Sequence, residues 1–203
     1  MIVMGLLLFF STLLRNDVML LIVGIMIGYA SSSVISLLNF FSTAEGVHSY
    51  LVWGMGSFGG VSMGQMPWFA LLVVVGLIVS LLLVKPLNAL LLGSQYAENL
   101  GLNIRRTRFQ LLLATGILSA ATTAFCGPIS FLGLAVPHIV RMLLRRADHR
   151  LLMPLSLLMG GAVALLCNLI CTLPGEKGVI PLNAVTPLLG VPVILYVLLN
   201  RRN

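Results

Sequence analysis

Apolar runs close to the length of a lipid bilayer recur along almost the whole chain, which confines the fold to a bundle of membrane helices. A helix needs about 20 apolar residues to cross the hydrocarbon core. Such runs lie at about 18–41, 67–84, 108–126, 129–144, 151–173 and 184–199, with a partial one at 2–14. The expected fold is therefore all-α: a polytopic membrane bundle of about six full spans plus a partial one at the N-terminus. The 129–144 run is short and needs its neighbours to cover its ends. Composition agrees, since 59% of residues are hydrophobic, 8% are charged and the mean hydropathy is +1.10. The exterior of such a chain meets lipid rather than water.

The cations fix an orientation. Arg15, Lys85, Arg105, Arg106, Arg108, Arg141, Arg145, Arg146, Arg150, Arg201 and Arg202 all fall on one side once the spans are threaded, and only Lys177 falls on the other. The positive-inside rule makes the first side cytoplasmic and places the C-terminus there. Asp17, Glu98 and Asp148 share that inner side, and Glu45 and Glu176 lie outside. A pI near 10.0 then needs no nucleic acid, because juxtamembrane cations beside anionic lipid account for it.

The opening MIVMGLLLFFSTLL is too short to cross and has no basic residue ahead of it, so it does not read as a signal peptide. It reads as the tail of a longer helix, which predicts a truncated span at 1–14. The whole chain, 1–203, is expected to form one membrane domain, with no linker and no clear internal repeat. Cys126, Cys167 and Cys171 sit in or at the ends of apolar runs without a CxxC pair, and are expected as small buried hydrophobes. His48, His138 and His149 are isolated, so no metal centre is expected.

Motifs for chemistry are scarce. Gly54-Met55-Gly56-Ser57-Phe58-Gly59 matches G-x-G-x-x-G but lacks the strand, helix and acidic residue that make a dinucleotide fingerprint. It is better read as a glycine-rich turn after a short helix around Glu45–Trp53, within an outer segment at 44–66. There is no phosphate-binding G-x-x-x-x-G-K-[ST] loop, no Ser-His-Asp set and no H-E-x-x-H. The expectation is no catalysis and no cofactor.

Two features point to work in a membrane. Gly24, Gly28, Ser32 and Ser36 recur at steps of four in the first full span, a stripe of small residues against which another backbone can approach closely. The stripe serves helix packing, and with Ser31, Ser33 and Asn39 it could also line a pathway. The gap at 85–108 reads as two short helices, the first broken by Gly93 and the second ended by Gly101. Its apolar Leu90, Leu91, Tyr96, Ala97 and Leu100 suit either a groove in a soluble partner or the headgroup layer, and the residues alone leave both open.

Gly93-Ser94-x-x-Ala97-x-x-Leu100-Gly101-Leu102, followed by Arg105 and Arg106, resembles the coupling loop of the iron-siderophore, haem and cobalamin permease family of ABC importers. Residues 53–60 (WGMGSFGG), 127–141 (GPISFLGLAVPHIVR), Asp148-His149-Arg150 and Pro181-x-x-x-Val185-Thr186-x-x-Leu189-Gly190-Val191-Pro192 resemble the same family in the same order. The likeness covers the chain from about residue 15 and corresponds to the family's C-terminal six spans.

The resemblance implies a permease subunit of the bacterial inner membrane. It would pair with a second copy of itself, with an ATP-binding subunit and with a substrate-binding protein. It also implies roles for residues. Gly93, Ser94, Ala97, Glu98, Leu100 and Gly101 would couple to the ATPase. Asn16, Asp17, Gly24, Gly28 and Ser32 would form the gate and pathway. The outer segments at 44–60 and 174–183, the latter with Glu176 and Lys177, would meet the substrate-binding protein. The rival reading is a membrane fragment of such a permease that does not transport by itself.

Overall fold

A computed structural model of the chain describes residues 2–14, 17–173 and 180–200. Among them every regular element is helical: α1 (Ile2–Leu13), α2 (Asp17–Phe40), α3 (Ala44–Gly54), a 3-10 turn (Phe58–Gly60), α4 (Met66–Leu82), α5 (Val84–Leu90), α6 (Ser94–Asn99), α7 (Ile104–Cys126), α8 (Leu132–Leu144), α9 (His149–Thr172) and α10 (Leu182–Asn200). The bundle class expected from the apolar runs is present, and among the described residues three or four of the six expected spans are long and apolar enough to cross. Residues 18–40, 104–126 and 149–172 are long and apolar enough to cross alone. A fourth span arises if α4 and α5, bent by 47° at Leu83, count as one.

The shorter helix within 129–144 has a local cause. The run expected at 129–144 starts its helix only at Leu132, because Gly127 takes a φ of +79° and Pro128 follows it. The resulting 13 residues span only about 20 Å at 1.5 Å per residue, against a core of about 30 Å. α10 continues as one helix over Leu182–Asn200 through Pro187 and Pro192, each of which removes a backbone donor from the ladder.

The chain divides into two compact units, residues 1–52 with 70–121, and residues 53–69 with 122–203. In the first, α1 lies against α2, and Leu7 comes within 3.6 Å of where a Cβ on Gly24 would sit. The α7 helix receives two neighbours over glycines. A Cβ at Gly76 of α4 would stand 2.6 Å from Leu118 Cγ, and one at Gly116 would stand 2.5 Å from Met4 Sδ. These are the close approaches that small residues permit in membrane bundles. They differ in how they can relax, since the Met4 side chain is unbranched and flexible whereas Cγ is the branch point of Leu118. Gly76→Ala should therefore cost about 1–3 kcal/mol of overpacking. Gly116→Ala should be close to neutral, because alanine recovers up to about 1 kcal/mol of helix propensity. Thermal unfolding in detergent of the two variants against the parent checks the difference.

In the second unit, α8 packs against both α9 and α10. One buried cluster joins Cys167 and Cys171 of α9 to Leu182 and Val185 of α10, with Phe58 and Ile129 against it. Another joins Val136 and Val140 of α8 to Leu152 of α9. Asp148 caps α9 by accepting from the Arg150 backbone N–H at 2.9 Å. Arg141 occupies the last turn of α8, where a cation complements the helix dipole. Cys126, Cys167 and Cys171 are all buried, as their apolar settings predict.

Candidate functional site

The segment expected to couple to a partner is a helix pair, as its glycines indicate. Helix α5 ends at Leu90, and Gly93 turns the chain with a φ of +100° into α6. The end of α6 closes in a complete Schellman motif: the Leu102 N–H donates to the Ala97 carbonyl at 3.0 Å and the Gly101 N–H to the Glu98 carbonyl at 2.8 Å. Gly101 holds a φ of +84°, the left-handed backbone the motif requires. Ala97 is completely buried and anchors α6 from beneath. Ser94, Glu98 and Leu100 are exposed, and with Leu91, Leu92 and Tyr96 they give the pair an open, partly apolar surface. The pair thus buries one small side chain and exposes several large ones.

The pathway residues are less gathered. Asn16, Glu176 and Lys177 lie outside the described residues. Asp17 opens α2. Gly24 meets α1, but at Gly28 a Cβ would find nothing within 4 Å, and Ser32 is exposed. None of residues 18–40 is buried, so only the Gly24 end of the small-residue stripe is packed. The hydroxyl of Ser31 donates to the Ile27 carbonyl at 2.8 Å. Such back-bonding satisfies a polar group inside an apolar helix.

The segment at 44–60 forms the helix and turn expected of it. The G-x-G-x-x-G match straddles the end of α3 and the turn after it, with no strand before it. Its role is to bring three stretches together around one side chain that motif reading passes over, Asn183 at the start of α10. The Asn183 Nδ2 donates to the Gly54 carbonyl at 2.9 Å and to the Pro128 carbonyl at 2.5 Å, and its Oδ1 accepts from the Ser130 N–H at 3.2 Å. Its backbone N–H reaches the Met55 carbonyl at 3.1 Å, and the Ser57 N–H donates to the Cys126 carbonyl at 2.9 Å. Gly127 approaches so closely that a Cβ there would collide with the Trp53 carbonyl. An asparagine just inside an apolar run is the available signal, because a polar amide there needs partners.

At the base of the first unit, Arg105 Nη2 donates to the Thr12 carbonyl at 2.6 Å and Arg108 Nη1 to the Leu14 carbonyl at 3.5 Å. The two arginines thus cap the C-terminal end of α1, where unpaired carbonyls carry partial negative charge. This brings the end of α1 and the start of α7 together.

The sequence profile of the FecCD transport family matches residues 1–200. The chain belongs to that family. Among relatives of this FecCD chain, the vitamin B12 import system permease protein BtuC of Vibrio cholerae is 37% identical over 185 residues, covering 91% of this chain and 55% of the relative. The hemin transport system permease protein HmuU of Yersinia pestis is 35% identical over 192 residues, covering 92% and 56%. A solved structure of an inward-facing metal-chelate type ABC transporter superposes with a TM-score of 0.88 at 28% identity, over 97% of this chain and 63% of that one. The FecCD chain thus spans little more than half the length of these relatives. It shares their helical membrane fold.

Proposed function

We propose that this chain acts as the permease subunit of an ATP-driven importer for a metal chelate or corrinoid: cobalamin, haem or an iron-siderophore. It works as a pair in the bacterial inner membrane with its C-terminus in the cytoplasm. A separate ATP-binding subunit docks on α5–α6 and a substrate-binding protein docks on the opposite face. Transport is by alternating access, with no chemistry on the substrate and no catalytic residue in this chain. Support comes from the family membership, from relatives named for vitamin B12 and hemin transport, and above all from the α5–α6 pair with its Schellman closure and exposed Leu91, Leu92, Tyr96 and Leu100. The ordered glycines of that pair fit a lever that must transmit force without bending.

Gly101→Val tests the coupling role directly. No neighbour lies within 4 Å of a Cβ at Gly101, so the cost is confined to forcing a β-branched residue to positive φ, about 1–2 kcal/mol. Substrate-stimulated ATP hydrolysis by the permease with its ATPase should fall severalfold while membrane insertion is retained. Unchanged coupling would place the pair in the headgroup layer instead.

Orientation is checked by single cysteines. Ser94→Cys, Asp148→Cys and Asn203→Cys should be shielded from an impermeant thiol reagent in intact cells, and Gly175→Cys should react. Native thiols add little background because Cys126, Cys167 and Cys171 are buried.

A second reading, a membrane fragment that keeps the fold but does not transport alone, is favoured by one observation: α2 leaves Gly28 and Ser32 open where close packing suits small residues. Uptake of cobalamin, haem or ferric siderophore by cells that carry residues 1–203 as their sole permease separates the two.

A further inference from the structure

A cleft of about 330 Å³ opens where the end of α1 meets α6 and the start of α7, lined by Ser11, Thr12, Leu14, Glu98, Arg105 and Arg108 among others. Its chemistry is unlike the rest of an apolar chain. Among the described residues, the lining carries two arginines of α7 and one glutamate of α6, a single net positive charge. Leu14 and Ile104 add apolar wall. Arg105 spends one bond on the Thr12 carbonyl, a small part of what a guanidinium with five N–H donors can offer. Capping α1 also holds the head of Arg105 at a fixed place, so the entropy of ordering it is already spent before any ligand arrives.

The depth of the cleft narrows the choice of ligand. α7 begins at Ile104 and is long and apolar enough to cross a membrane, so the cleft lies at the level where its span enters the headgroup layer. The anion present there in quantity is the phosphodiester of an anionic phospholipid, which carries one negative charge and matches the net charge of the lining. Basic clefts between membrane helices take such headgroups.

We propose that this cleft binds the headgroup of an anionic phospholipid, its phosphodiester held by Arg105 and Arg108, with its glycerol side toward Ser11 and its chains leaving along α1 and α7. Because Glu98 stands on α6, the bound lipid lies directly beneath the helix pair assigned to ATPase docking. The membrane's anionic lipid thereby becomes part of the support of that pair. The site does not rest on the transport reading, since it follows from the lining of the cleft and the length of α7.

The test is native mass spectrometry of the purified permease. Protein is loaded in nanodiscs of mixed phosphatidylglycerol and phosphatidylcholine, then stripped with mild detergent. The parent should retain phosphatidylglycerol over phosphatidylcholine. Arg105→Gln should lower that retention about tenfold, the worth of one charge-assisted hydrogen bond. Glu98→Gln removes the opposing carboxylate without touching the cap on α1 and should raise retention. A fold that merely failed would lower retention in both variants. Equal retention of the two lipids by the parent, or unchanged or lowered retention in Glu98→Gln, would overturn the proposal. Displacement of the retained lipid by excess inorganic phosphate would also overturn it, by assigning the cleft to a free anion.

Discussion

Gly127→Val is expected to cost more stability than valine at any other glycine among the described residues, about 2–5 kcal/mol. Two terms add. The position holds a φ of +79°, where a β-branched residue is strained by about 1–2 kcal/mol. The new Cβ would also collide with the Trp53 carbonyl and stand 3.1 Å from Gly56 Cα. Both neighbours are backbone, so neither can swing aside as a side chain would, and overpacking of this kind adds about 1–3 kcal/mol. The damage should begin at the turn after α3, because the Ser57 N–H depends on the Cys126 carbonyl beside it. Hydrogen exchange should show residues 53–60 losing protection first, and thermal unfolding in detergent should fall well below that of Gly101→Val. The latter faces the same φ penalty without a collision, so similar unfolding temperatures for the two variants would remove the steric half of the explanation.

That contrast also shows what kind of information the sequence carries. The break at Gly93, the closure at Gly101 and the extent of α2 have local causes: a glycine at a helix end, a run of apolar residues, a polar gap. They can be read from neighbouring residues alone. The late start of α8 and the bend at Leu83 are harder, because periodicity sees apolar character and not where a backbone must turn. Arg105 is legible as a juxtamembrane cation, but its partner Thr12 lies 93 residues away, and no local pattern connects them. The same holds for Asn183, whose amide reaches Gly54 across 129 residues and Pro128 across 55. The glycine-rich match at 54–59 reads as a turn and is one, but what the turn is for depends on a side chain near the other end of the chain.

Asn183→Ala is therefore the sharpest test of that second kind of structure. The alanine leaves the Gly54 and Pro128 carbonyls without the amide donor and the Ser130 N–H without its acceptor. A buried polar group deprived of its partner costs about 1–3 kcal/mol, and partial access to water at this end of α10 offsets some of it. A total of about 3 kcal/mol is expected from these losses, read as a lower unfolding temperature. Asn183→Asp separates hydrogen bonding from simple packing. An ionised carboxylate is nearly the same size but only accepts, so it could keep the Ser130 bond while facing two carbonyl oxygens that repel it. It should be no more stable than the alanine variant, whereas a side chain that mattered only by filling space would tolerate the change. Loss of exchange protection should appear together in residues 53–60, 126–131 and 182–186, because one amide joins all three. If the segment at 44–60 receives a substrate-binding protein, that protein's affinity should fall in both variants while the buried Ala97 and the α5–α6 pair keep their protection. Independent behaviour of the three stretches would mean that Asn183 sits among them without holding them.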